Sequence, residues 1–230
     1  MCTECRIKTT RRYFMRLLLA TAGAGALATC RAGAAVVKQP LPLVNLDFLP
    51  SRLAVRRRSC WTDVQPNAWQ LREAKPFSRI TIHHQGAGEA SSRHENSVVA
   101  DIDAIFGGHR RLGYADIGYH FVIDYDGRVW EGRSLAYAGA HVANQNDDNI
   151  GILALGNYNR QKPSAATVAS LKGLVAALEQ HYSIKPDRLF GHRELGASDC
   201  PGKHLFTSVV NMRVAFIAAA SMNKGDRKGV

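Results

Sequence analysis

Gly191–Gly202 reads GHRELGASDCPG. It sets an imidazole, His192, and a thiol, Cys200, on a strand end and in the loop that follows. Upstream, Arg79–His84 reads RITIHH, an apolar run that delivers His83 and His84 to the end of a second strand. Two histidines and a cysteine converging on one point form a three-ligand set with a fourth position open to water. That is the arrangement a hydrolytic zinc uses. Spacing alone does not establish it, because a single Cys or His is more often a packed core residue. The sequence around these two stretches has to supply the fold that joins them.

From Asn96 the apolar period becomes helical, with Val98, Val99, Ile102, Ile105 and Phe106 recurring at three and four. Asn96 or Ser97 is the expected cap and Gly107-Gly108 the expected end. In Leu112–Arg133, LGYADIGYHFVIDYDGRVWEGR, residues Phe121, Ile123 and Val129 mark two strands with a tight turn at Asp126-Gly127. Residues 150–156, IGILALG, are apolar on both faces and predict a central strand. Pro163-Ser164 opens an amphipathic helix to about Tyr182, with Leu171, Leu174, Val175 and Leu178 on one face. A short strand over 188–192 and a helix over 205–220 close the pattern. Strands alternating with helices predict an α/β domain over 77–221, a mixed central sheet flanked by helices. Residues 35–76, with Pro40, Pro42, Pro50 and Pro66, read as an irregular N-terminal wrap. Arg56-Arg57-Arg58 reads as a solvated face and residues 222–230 as a polar, disordered tail.

The formal charge of the 230 residues is +11. Residues 1–34 hold six Lys/Arg and one Glu, so the remaining chain carries +6. That suits an anionic polymer such as bacterial cell wall, and the lack of a basic patch interleaved with aromatics argues against nucleic acid. Residues 10–16, TRRYFMR, precede the short apolar run LLLATAGAGALATC, the pattern of a twin-arginine export signal over 1–34. The run is well short of the roughly 20 residues a span needs, so no transmembrane helix is expected there. Ala32-Gly33-Ala34 offers a cleavage site; Leu27–Cys30 offers a lipoprotein box with Cys30 as a lipid anchor, though Thr29 is atypical before that cysteine. The expected product is exported, periplasmic or extracellular, and monomeric. Cys2 and Cys5 form an isolated C-x-x-C without a second pair, and Cys60 reads as a buried free thiol rather than a disulfide partner of Cys200.

Four stretches in order, ITIHH, GYADIGYHFVIDYDGRVWEGR, AGAHVANQNDDNIGILALGNY and GHRELGASDCPG, resemble the type 2 N-acetylmuramoyl-L-alanine amidases and the peptidoglycan recognition proteins. The resemblance runs from about Phe77 to Phe206. It implies Zn2+ held by His83, His192 and Cys200, and catalytic assistance from Tyr119. It implies a substrate of peptidoglycan or muropeptides, with His141 at the edge of the substrate groove. Ser198 stands where catalytic relatives carry Lys or Thr, and it offers a hydroxyl without the charge that a lysine would bring to that transition-state contact. Family members that only bind peptidoglycan typically lack the zinc cysteine, which this chain keeps.

Under that reading, Tyr119 donates a proton to the developing oxyanion and Ser198 adds a second, uncharged hydrogen bond. No H-E-x-x-H supplies a glutamate as proton carrier. His84 reads as structural, since adjacent strand residues face opposite sides. His109 and His120 read as packing or surface groups. Glu131 sits in a strand expected beside the site, either as auxiliary base or as a solvent-paired carboxylate. Asn146 and Asn149 either bind the stem peptide or hold a turn. The rival function is a non-catalytic muropeptide-binding module in the same groove.

Overall fold

The computed structural model describes residues 44–226, the last four by backbone only; the expected export signal, Cys2, Cys5, Cys30 and residues 227–230 lie outside the described residues. Five strands, β1 (Arg79–His84), β2 (Phe121–Ile123), β3 (Val129–Glu131), β4 (Asn149–Ala154) and β5 (Leu189–Gly191), form one sheet in the order β3-β2-β4-β1-β5. β2, β4, β1 and β5 run parallel, and β3 returns antiparallel along β2. Among the described residues three α-helices accompany it: α1 (Glu95–Arg111), α2 (Ala165–Tyr182) and α3 (Lys203–Asp226). The expected mixed, helix-flanked sheet is the fold.

Period-two alternation divides the sheet into two unlike faces. On one, Ile80 and Ile82 of β1, Ile150 and Ile152 of β4, and Phe121 and Ile123 of β2 pack against α2 (Leu171, Leu174, Leu178) and α3 (Leu205, Val209, Met212). On the other, Val122, Trp130 and Leu153 pack against Ile102 and Phe106 of α1 and against Trp61. The register Thr81↔Gly151 and His83↔Leu153 puts Thr81, His83, Asn149 and Gly151 on this second face. There the large apolar groups stop and a polar site begins. β4 is buried along its whole length, which explains its unbroken apolar run.

Several boundaries differ from the sequence reading. α1 begins at Glu95 after His94, with no side-chain cap, and runs through Gly107 and Gly108 to Arg111. A glycine inside a helix costs only about 1 kcal/mol. The left-handed residue that ends this helix is Gly113, at φ +83°. α3 continues to Asp226, into the stretch read as a disordered tail. Its residues Lys203–Met222 are long and apolar enough, by length and composition, to cross a membrane (mean hydropathy 1.5), yet Leu205, Val209 and Met212 are buried in the domain core.

The three arginines are not a solvated face. Arg56 pairs with Glu95 at 2.6 Å, Arg57 with Glu131 at 3.1 Å and Arg58 with the buried Asp116 at 2.9 Å. Carboxylates from α1, from β3 and from the loop before β2 meet them, and Arg58 also lies 4.8 Å over the Trp61 ring. Glu131, on the edge strand farthest from β5, is thereby a structural carboxylate and not a neighbour of the site. Cys60 and Cys200 are half-buried and share no disulfide.

Candidate metal centre

His83 ends the inner part of β1, and His192 follows directly on β5. The parallel register Ile82↔Gly191 therefore sets the two histidines side by side at the carboxyl ends of neighbouring strands, where open α/β sheets hold their ligands. The loop after His192 folds back to bring in Cys200. Arg193 donates its N–H to the Cys200 carbonyl at 2.7 Å and its guanidinium to the Asp199 carbonyl at 2.7 Å. The Glu194 carboxylate accepts the Gly191 N–H at 2.8 Å and pairs with Arg213 of α3 at 2.9 Å, so α3 braces the turn that carries His192. Gly202, at φ +82°, lets this loop press on the chain after β4: a Cβ there would lie 2.5 Å from the Tyr158 carbonyl carbon.

His83, His192 and Cys200 each offer a ligand atom, all within 4.8 Å of one another. Cys200 Sγ lies 3.6 Å from His83 Nδ1. Zinc bonds of about 2.3 Å to sulfur and 2.0–2.1 Å to nitrogen at a tetrahedral angle require about 3.6 Å between such atoms. The donor set thus fits zinc in chemistry and in this spacing. Burial, reinforced by His141, His192 and His84, holds His83 well below the usual imidazole range, and burial also lowers His192, so both favour the neutral form a metal needs. Burial pushes the Cys200 thiol up to about 11, against the opposing pull of the His84 N–H and of Arg193. Metal binding there must displace a proton. His83 is buried while His192 and Cys200 are half-buried, so the site opens on their side.

The other residues singled out by sequence divide sharply. Tyr119 reaches the site, its ring 5.1 Å from that of His83; burial, then Cys200 and Tyr114, holds its phenol well above the ordinary value and therefore protonated. Ser198 is there too, its hydroxyl accepting the Cys200 N–H at 3.1 Å. His84 faces away, accepting the Tyr158 N–H on Nδ1 at 3.1 Å, while its backbone N–H donates to Cys200 Sγ at 3.3 Å. His109 accepts the Gly118 N–H, and buried His120 accepts the Gly151 N–H, so both are structural.

His141, expected at the edge of the substrate groove, is a buried side chain beneath His83, its Nδ1 3.0 Å from His83 Nε2 and its Nε2 3.1 Å from the Asn149 carbonyl. Asn146 spends its Oδ1 on the N–H groups of His141 and Val142, at 2.8 and 2.9 Å, while also lining an open cleft of about 250 Å³ with Tyr114, Arg133 and Ala140. Asn149 is buried and held by Thr81 and Gln145. The sequence did carry a signal for the cradle around His141. Gly151 interrupts a central strand, a mark of close approach.

Residues 73–203 match the family described as N-acetylmuramoyl-L-alanine amidase. Peptidoglycan-recognition protein SC2 of Drosophila melanogaster is 36% identical over 138 residues, 59% of this chain and 74% of that protein. The bumblebee PGRP-SA structure superposes with a TM-score of 0.62 at 28% identity, covering 68% of this chain and 93% of that one. The ectodomain complex of peptidoglycan recognition proteins LCa and LCx with bound tracheal cytotoxin gives a TM-score of 0.61 at 28% identity, covering 66% and 92%. With the family match spanning more than half of the sequence and the fold shared, the chain belongs to the N-acetylmuramoyl-L-alanine amidases, within the type 2 amidase and peptidoglycan recognition protein superfamily.

Proposed function

We propose that this protein is an exported zinc amidase, acting in the periplasm or outside the cell, that hydrolyses the amide between N-acetylmuramic acid and L-alanine of peptidoglycan. The observation that carries the reading is the convergence of His83, His192 and Cys200 at the carboxyl ends of β1 and β5, with Tyr119 alongside. Binding of tracheal cytotoxin by the related ectodomains supports a muropeptide as the ligand of this fold.

A zinc ion held by these three donors would supply Lewis-acid activation of water and of the scissile carbonyl. In the reaction, the water oxygen bonds to the lactyl carbonyl carbon, the C–N bond to L-alanine breaks, and a water proton ends on the leaving amine. The protein groups stabilise the charge that develops between those events. Tyr119, kept protonated by burial, donates to the carbonyl oxygen as it gains negative charge. Ser198 Oγ already accepts the Cys200 N–H, which leaves its own proton for a second hydrogen bond to the same oxygen. His192 is half-buried, so the site is accessible to solvent on its side.

The test is mass spectrometry of purified muropeptides after incubation with the protein, with and without chelator. Free stem peptide and otherwise unmodified sugar should form, vanish on chelation, return with added zinc, and be absent with Cys200→Ala. Muropeptides recovered intact in the presence of zinc would overturn the reading and leave a binding role.

A further inference from the structure

We propose that His141, cradled by Gly139 and Gly151, is a positioning residue that fixes His83 with Nδ1 toward Cys200 and so sets the metal affinity of the site. The inference rests on the metal reading above and deepens it.

The argument is one of donors and acceptors. His141 Nε2 lies 3.1 Å from the carbonyl oxygen of Asn149, which can only accept, so Nε2 carries the proton. In a neutral imidazole the proton on Nε2 leaves Nδ1 as a lone pair. His83 Nε2, 3.0 Å away, must then be the donor, and the lone pair of His83 lies on Nδ1, the atom 3.6 Å from Cys200 Sγ. One hydrogen bond to a backbone carbonyl thus selects the tautomer of a metal ligand two bonds further along. The hydrogen bond made by the second ring nitrogen is what decides which nitrogen of a histidine meets a metal.

Packing makes the selection rigid. A Cβ on either Gly139 or Gly151 would come within 2.4 Å of His141 Cδ2, so the ring fills a slot that only glycine leaves open on both sides. Both ends of the relay are tied down. The Asn146 side chain accepts the His141 N–H at 2.8 Å, and the Asn149 side chain is bonded to Thr81 Oγ1 and to the Gln145 carbonyl, each at 2.9 Å. His141 is buried, with both ring nitrogens engaged by protein partners, so holding His83 is the role its contacts describe.

The experiment begins with the metal-free parent chain, labelled with nitrogen-15 at histidine. Imidazole shifts should give the Nε2–H tautomer for both His83 and His141; an Nδ1–H tautomer at His83 would overturn the proposal without any variant. Zinc affinity, from competition with a chromophoric chelator, is then compared between the parent, His141→Leu and His141→Asn. Loss of such a partner typically weakens metal binding about 10–100-fold. His141→Leu should show that loss while its metal-free form keeps a cooperative melt, and His141→Asn, which restores an acceptor at the Nδ1 position, should recover most of it. Equal zinc affinity in parent and His141→Leu, or no recovery in His141→Asn, would sink the idea. A parent that takes up no zinc would instead defeat the metal reading, and the tautomer assignment would still stand or fall by its own spectrum.

Discussion

Tyr119 and Ser198 supply the two hydroxyls of the site, and they differ in what holds them. Tyr119 sits against the rings of His83 and His109, where burial disfavours the phenolate and leaves a proton to donate at any working pH. Replacing it by Phe removes that donor and little else. Tyr119→Phe should lower kcat by about 10²–10³ while zinc content and KM stay close to the parent's, as steady-state kinetics and metal analysis would establish. A parallel rise in KM would mark it as a binding group. Ser198 is fixed through its oxygen by the Cys200 N–H, and it carries no charge where a lysine would.

At the scale of elements, the start of α2 couples helix and sheet through one side chain. Ser164 Oγ accepts the Thr167 N–H at 2.9 Å, capping the helix, and donates to the Tyr125 carbonyl at 2.5 Å in the loop after β2. Ser164→Ala removes both bonds. Helix caps contribute about 1 kcal/mol, with a range of about 0.5–2, and the second bond puts this one toward the upper end. Urea unfolding should place the loss there. Turnover well below the melting temperature should be unchanged, because α2 covers the sheet face opposite the site. An activity loss without a stability loss would contradict this division of the faces.

For the molecule as a whole, the buried histidines set the response to acid. Burial brings His120 down to about 4, and burial with the nearby His120 brings His141 down to about 3. Both values lie below the ordinary 6.5. Between 6.5 and these folded values the unfolded chain binds protons that the folded chain refuses, so folding stability falls as pH falls. This contribution is complete above about pH 6.5 and is lost progressively toward pH 4 and then 3. The melting temperature of the metal-free chain should therefore be level from pH 7 to 8 and decline steadily below 6.5. A melting temperature constant down to pH 4 would mean that the two rings are not held neutral in the fold.

The sheet, the helices and the three residues of the candidate metal centre were legible in the sequence. Alternation at two and recurrence at three and four are local patterns, and period two alone required that His83 and His84 face opposite ways. Whatever depends on strand register emerged only in the folded chain. His141 looks like any loop histidine until the β1–β4 pairing places Asn149 and Gly151 beneath it and His83, 58 positions away in sequence, above it. Arg56, Arg57 and Arg58 read as a solvated run until three carboxylates from separate elements close on them. Hydrophobic periodicity records which side of an element is covered. A hydrogen bond between distant side chains depends on strand register and on loops folding back to within about 3 Å, and no local pattern in the chain encodes that distance.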